Sequence, residues 1–240
     1  MKQRLDIELT KRGLAVSRSQ AESWIRLGKV TVDGAVITKP GHFVREDADL
    51  RLTAEEQYVS RAGLKLASVA ELLHIDFRDK TVLDVGSSTG GFTDYALRHG
   101  AKKVFAVDVG TEQLHPSLRG NPAIELHEKT DIRDFYLEEK PDIIVIDVSF
   151  ISLREILPHL AVHLSDNHTV VAAMLKPQFE AGKHQVNKGV IKNDAIRRQI
   201  LKDFETWAKQ YFVIKDKRDS DVHGARGNQE RFYLLRPLNS

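Results

Sequence analysis

Asp147 closes the apolar run DIIVID, and Lys176 closes VVAAMLK. A carboxylate and a lysine at the ends of two buried strands can act together on a proton. A nearby carboxylate favours the ammonium form of a lysine, whereas a neighbouring cation or an apolar wall disfavours it. A lysine pressed to give up its proton is a general base, and an alcohol is a suitable partner for it. Either residue alone is ordinary, because a strand-end lysine is usually just solvated. The pair gains meaning only if a reactant is bound beside it, and Pro177 stops the second strand at that point.

The stretch VLDVGSSTGGF, residues 82–92, supplies a candidate reactant site. It reads as a buried strand running into a glycine-rich loop and then a helix. The dinucleotide fingerprint requires glycine at its first, third and sixth positions. Gly86 and Gly91 fit the first and sixth, but Ser88 stands where a pyrophosphate would need glycine. The phosphate-binding loop requires lysine after its last glycine, and Phe92 stands there. Both phosphate readings fail at the residue that would touch phosphate. A ligand with a nucleoside at one end and a zwitterion at the other needs neither feature, and S-adenosylmethionine is such a ligand. The amides of Ser87, Ser88, Thr89 and Gly90 and the start of the following helix can take a carboxylate. Asp84 can pair with an ammonium. Asp108, followed by Val109, lies 22 residues after Gly86, where a ribose-binding acid occurs in doubly wound folds. Asp131, in KTDIRD, is expected to meet the adenine amino group.

These residues need a sheet that presents its strand ends on one edge. The expected strands are 82–86, 103–110, 142–149 and 169–175, with closing strands in FVIKD and ERFYLLR. Helical patterns lie between them, in SRAGLKLASVAELLHI, GFTDYALRHG, FISLREILPHLAVHL and DAIRRQILKDFETWAKQ. Alternating strands and helices with continuous apolar strands predict an α/β fold, a doubly wound Rossmann-like parallel sheet covered on both faces. Ahead of it, residues 1–54 read as a small α+β domain. It has two helices, the second opened by a Ser17–Gln20 capping box, a hairpin turning at Asp33-Gly34 and a further strand pair in HFVREDADLRL. Residues 55–60 read as a linker and 61–240 as the larger domain.

The net charge of +2 hides an asymmetry: residues 1–45 hold nine basic and four acidic side chains, the remainder 27 and 30. A basic head on a near-neutral body suggests a polyanion-binding module. The chain has no cysteine, which removes disulfides, thiolate metal sites and cysteine nucleophiles. No apolar run reaches the roughly 20 residues of a membrane span, and the N-terminal stretch lacks the apolar core of a secretory signal. A cytoplasmic protein with no metal and no membrane partner is expected.

VSRAGLKL, DVGSSTGGFTD, AVDVG, IDVSFISL, LKPQFE and GARGNQERF occur in that order. Together they resemble the TlyA (hemolysin A-like) family of ribosomal RNA 2′-O-methyltransferases, within the FtsJ-like group. The head resembles the RNA-binding domain of ribosomal small-subunit protein four. The resemblance implies methyl transfer from S-adenosylmethionine to a ribose 2′-hydroxyl, of a cytidine, in the RNA of a ribosomal subunit. It also implies a catalytic tetrad, which falls here on Lys65, Asp147, Lys176 and Glu230. Spacing alone would leave Lys65 a solvated helix lysine and Glu230 an exposed edge residue. RNA phosphates are expected to meet Arg4, Arg18, Arg26 and Lys29 in the head and Arg61 beside the site. At the linker the sequence departs from the family: Glu56-Gln57-Tyr58-Val59 stands where some members have Arg-x-Trp-Val. Two other functions compete: a non-catalytic ribosome-assembly factor, and a membrane-active hemolysin, for which the sequence offers no membrane-seeking helix.

Overall fold

The computed structural model describes residues 2–15, 18–26, 28–53, 58–182, 185–186, 189–191, 193–224 and 227–238. Ser17, Glu56 and Gln57, which figure in the capping and linker readings, lie outside them.

The head contains β1 (Lys2–Arg4), α1 (Leu5–Lys11), α2 (Arg18–Arg26), β2 (Val30–Val32), β3 (Ala35–Val36), β4 (Phe43–Arg45) and β5 (Leu50–Leu52). The hairpin forms as expected: β2 pairs with β3 through Asp33 and Gly34, whose φ angles of 49° and 83° suit a tight hairpin turn. The two strands expected in 42–52 form but do not pair with each other. β4 pairs with β1 and β5 with β2. The connection between β4 and β5 lies against the end of α1, where the Arg12 guanidinium donates to the Glu46 and Ala48 carbonyls at 2.7 Å each. Leu5, Leu9, Ala21, Trp24, Ile25, Val30 and Val44 fill the head's core, and that apolar cluster runs on through Tyr58 into the body.

The body contains α3 (Arg61–Ala70), β6 (Thr81–Val85), α4 (Gly91–Arg98), β7 (Lys103–Val107), β8 (Ile124–His127), β9 (Ile143–Ile146), α5 (Leu153–His159), β10 (Val170–Leu175), α6 (Pro177–Glu180), α7 (Asp194–Ala208), β11 (Phe212–Asp219) and β12 (Arg231–Pro237). The seven strands lie in the order β11-β12-β10-β9-β6-β7-β8. The sheet is not wholly parallel, because β12 runs antiparallel to both β10 and β11. α7 returns the chain to the sheet only once, and β12 must then follow β11 as a hairpin.

Side chains alternate across the strands. Val82, Ile143, Val145, Ala172 and Met174 join α3 and α4 on one face, while Leu83, Val85, Ile144, Ile146, Val171 and Ala173 join α5 and α7 on the other. Both faces are therefore covered, as a doubly wound sheet requires. α3 and α4 meet backbone to backbone: a Cβ on Gly63 would come within 3.0 Å of the Gly91 carbonyl oxygen. Glycine at both positions lets the helix after the loop sit this close to the start of the body.

Candidate active site

Asp147 follows β9 and Lys176 follows β10, so adjacent parallel strands deliver both to one edge. The Lys176 Nζ lies 2.6 Å from Asp147 Oδ1 and donates to the Ser149 hydroxyl at 2.7 Å. Both charged side chains are largely buried, 10% and 14% exposed. A second pair lies nearby in the fold: Lys65 on α3 meets Glu230, which precedes β12, at 2.5 Å. Glu230 is buried, and so is Lys65, which corrects the solvated and edge-exposed readings that spacing alone gave them. Glu230 reaches this edge because β12 is reversed and begins where its neighbours end; Arg231 stands opposite Leu175.

Two cavities open along the same edge. The smaller, of about 130 Å³, is lined by Ala62, Asp84, Phe92, Asp147, Ser149 and Lys176, together with Gly86, Ser87, Ser88 and Thr89 of the loop. The larger, of about 380 Å³, is lined by Gly86, Ser88, Asp108, Val109, Gln113, Asp131, Asp147 and Phe150 among others. Asp147 borders both. Neither Lys65 nor Glu230 lines either one.

Asp84 carries the strongest electrostatic signal at the small cavity. Its Oδ2 accepts from the Thr93 hydroxyl at 2.6 Å, whereas its buried Oδ1 has no hydrogen-bond partner among the described residues. Burial pushes its pKa up to about 7; the Thr93 hydroxyl opposes this and the Asp147 charge adds to it. An orphaned carboxylate oxygen in a small, polar cavity suits an ammonium.

The other expected ligand residues also serve the loops. Asp108 accepts from the Ser88 amide at 2.8 Å and the Gly110 amide at 2.7 Å, so it shapes the glycine loop. Asp131 caps a short 3₁₀ turn at Arg133 N and is gripped by the Arg133 guanidinium at 2.6 Å, which holds its carboxyl below the usual range. Gly86, at φ 80°, is required by crowding: a Cβ there would stand 2.7 Å from the Asp147 carbonyl oxygen. Gly90 and Gly91 line neither cavity. A Cβ on Gly90 would strike Leu114 and Leu118, and one on Gly91 would strike α3, so these two glycines serve packing.

Three residues at this edge escape sequence reasoning. Ser149 is a second partner of Lys176. Gln113 accepts from the Ser88 hydroxyl at 3.1 Å and lines the large cavity. Phe150 is 92% exposed, at φ 68°, with its ring 5.3 Å from that of Phe179. An exposed phenylalanine in the left-handed region is unusual. The sequence signals for Ser149 and Phe150 are their positions two and three residues after a strand-end acid and their place in the IDVSFISL motif.

In the head, Arg4 and Arg18 converge on one buried carboxylate. Asp6 accepts from Arg4 at 3.0 and 2.8 Å and from Arg18 at 2.8 Å; burial pushes its pKa up, and the two guanidiniums together outweigh this and hold it down at about 2. Arg26 and Lys29 are exposed. Arg61 is half-buried and donates to the His223 carbonyl at 2.6 Å, and this desolvation lowers its pKa.

A profile described as FtsJ-like methyltransferase matches residues 58–236. The chain belongs to the FtsJ-like methyltransferase family. An S4 domain profile matches residues 3–50, so this FtsJ-like methyltransferase carries an RNA-binding type of head. Among curated relatives, the 16S/23S rRNA (cytidine-2′-O)-methyltransferase TlyA of Mycobacterium tuberculosis is 38% identical over 97% of this chain and 89% of its own length. The 23S rRNA (cytidine-2′-O)-methyltransferase TlyA of Campylobacter jejuni is 45% identical over 74% of this chain and 70% of its own. Among solved structures, a Streptococcus thermophilus protein described as a hemolysin aligns at a TM-score of 0.74 with 38% identity, covering all of this chain and 90% of that one. The TlyA resemblance read from the motifs therefore holds. No helix among the described residues is long and apolar enough to cross a membrane, and none of their acidic and histidine side chains cluster in threes as metal ligands.

Proposed function

We propose that this methyltransferase moves a methyl group from S-adenosylmethionine to a ribose 2′-hydroxyl, that of a cytidine, in ribosomal RNA of a ribosomal subunit. The observation that carries the reading is the Lys176–Asp147 pair at 2.6 Å on the wall of a cavity that also holds the unpartnered Asp84 oxygen. A base and an ammonium acceptor thus face one space, as transfer from an amino-acid-bearing donor to an alcohol requires. The printed activities of the two TlyA relatives support the same reading.

S-adenosylmethionine supplies an already activated methyl group. Asp84 would pair with its ammonium, Asp108 with its ribose, and Val109, Gln113 and Asp131 would border its base. Lys176, once it has released its own proton to solvent, would take the 2′-hydroxyl proton, with Asp147 and Ser149 holding its nitrogen in place. Lys65 and Glu230 would hold α3 to the start of β12 beside the site. Alignment for in-line displacement can supply about 7–11 kcal/mol, and a general base contributes about 10²–10⁴-fold. The bare Phe150 ring at the cavity mouth offers a stacking surface to a nucleotide turned out of its helix. Arg4, Arg18, Arg26, Lys29 and Arg61 would position the RNA through phosphates, without reading sequence.

The test is transfer of labelled methyl from S-adenosylmethionine to purified ribosomal subunits that lack the modification, followed by nucleoside analysis. Label in 2′-O-methylcytidine with wild type and not with Lys176→Ala supports both reaction and base. Intact cofactor binding with no label on either subunit would leave the assembly-factor reading.

A further inference from the structure

Glu180 ends the LKPQFE run and has no part in the chemistry above. Its side chain is 1% exposed, yet it faces across to another loop. Oε1 accepts from the Leu153 amide at 2.7 Å and Oε2 from the Ser152 hydroxyl at 2.6 Å. Ser152 in turn caps α5 by accepting from the Arg154 amide at 3.0 Å, and Arg154 Nε lies 3.6 Å from Glu180. The carboxylate therefore satisfies donors that the first turn of α5 leaves open.

The two segments joined in this way carry the two halves of the reacting pair. Residues 147–152 bear Asp147, Ser149 and Phe150; residues 176–180 bear Lys176 and Phe179. The β9–β10 ladder ends with Ile146 opposite Ala173, and beyond it side chains join the segments. Lys176 meets Asp147 and Ser149 at the strand ends, the Phe150 and Phe179 rings meet at 5.3 Å, and Glu180 holds the far end. Lys176 and Asp147 make a variable link between their own loops, because transfer of a proton to Lys176 changes the interaction between them. A buried carboxylate outside the reaction does not change during turnover.

We propose that Glu180 is a positioning residue that straps the 147–152 loop to the 176–180 turn and so sets the separation of Lys176 and Asp147. The inference rests on the reading of Lys176 as the base. A carboxylate suits the task, since it accepts two hydrogen bonds at once and complements a helix N-terminus. Glutamine keeps one acceptor and turns an NH₂ toward Ser152; alanine keeps nothing.

Glu180→Ala, Glu180→Gln and Ser152→Ala test this through single-turnover transfer at saturating cofactor and RNA, calorimetric binding of S-adenosylmethionine, and thermal melting. Glu180→Ala is expected to lower the single-turnover rate on the order of 10²-fold, the cost of misplacing a reacting group by about 1 Å. Glu180→Gln and Ser152→Ala should fall between it and wild type, and cofactor affinity should hold in all three. A folded Glu180→Ala protein at the wild-type rate, or one that loses rate and cofactor binding in parallel, overturns the proposal. If Glu180→Ala does not fold, the two milder variants decide in the same way. If wild type itself transfers no methyl, the activity reading fails separately. Crystal structures then decide on Glu180: Lys176 and Asp147 still in contact in the variants sinks the strap, and a parted pair supports it.

Discussion

Lys176 with Asp147 and Lys65 with Glu230 are alike in chemistry and in burial but differ in surroundings. Both members of the first pair line the small cavity, Asp147 borders the large one as well, and the lysine has a second partner in Ser149. The second pair borders neither; Lys65 is flanked on α3 by buried Leu64 and Leu66, and Glu230 packs beside Gly224. A buried ion pair that lines neither of these cavities can still fix two elements relative to each other. A pair that faces a cavity can also exchange its proton with a bound molecule. The same two residue types are thus set to different work by whether they line these cavities.

The difference can be broken by substitution, and the largest expected effect is on turnover. Lys176→Ala should lower kcat by about 10³-fold, within the range of a lost general base, and leave the Kd for S-adenosylmethionine nearly unchanged. Equal losses in both would put Lys176 in cofactor binding instead. For the other pair the expected loss is in stability. Glu230→Ala strands a buried ammonium and should cost about 3–5 kcal/mol in denaturant unfolding. Joint replacement, Lys65→Met with Glu230→Leu, should recover most of that stability. If it also recovers turnover, the pair is structural; if activity stays absent, the pair contributes charge to the reaction as well.

A smaller effect sharpens the contrast through pH. Asp84 titrates near 7 because it is buried, and only its carboxylate form pairs with an ammonium. Below pH 7 the acid is neutral, so cofactor affinity should fall by about 10-fold from pH 8 to pH 6, given a pKa raised this far from the ordinary value. Asp84→Asn should bind weakly at both pH values. The protein without ligand should respond in the opposite sense. A carboxyl whose folded pKa is raised contributes stability at low pH and loses it as pH rises from about 4 to about 7. Calorimetry and thermal melts over the same pH range check both signs. The smallest effect belongs to the head. Arg18→Ala should weaken RNA binding a few-fold and lower the salt slope by about one, with Arg4 still forked onto Asp6.

The sheet was legible where its strands were. Runs such as VVAAML and the IIVI of β9 have no polar residue to place on a wet face, so they fit a strand covered on both sides. Their final residues then had to lie on the ligand edge, which made Asp147, Lys176 and the glycine loop readable. β8 was not delimited because IELH is an edge strand, with an exposed Glu125 and Leu126. Lys65 and Glu230 could be found only by resemblance, because the burial of a helix lysine is decided by what packs on it. The grip of Asp6 on Arg4 and Arg18 was likewise hidden, since it depends on how α1 and α2 meet. Phe150 was out of reach because its exposure and its positive φ belong to a loop shaped by Glu180 and Ser152.

The reversed strand also has a consequence for the order in which the protein is made. The head spans the first fifty-odd residues and leaves the ribosome first, in keeping with domains folding from the N-terminus during synthesis. Glu230 comes with the sheet's last strand, so Lys65 waits through most of translation for its partner. A nascent chain can hold the whole length of the head, the glycine loop and Lys176 while that pair is still open. The topology thus leaves the closing of this pair to the last strand that is made.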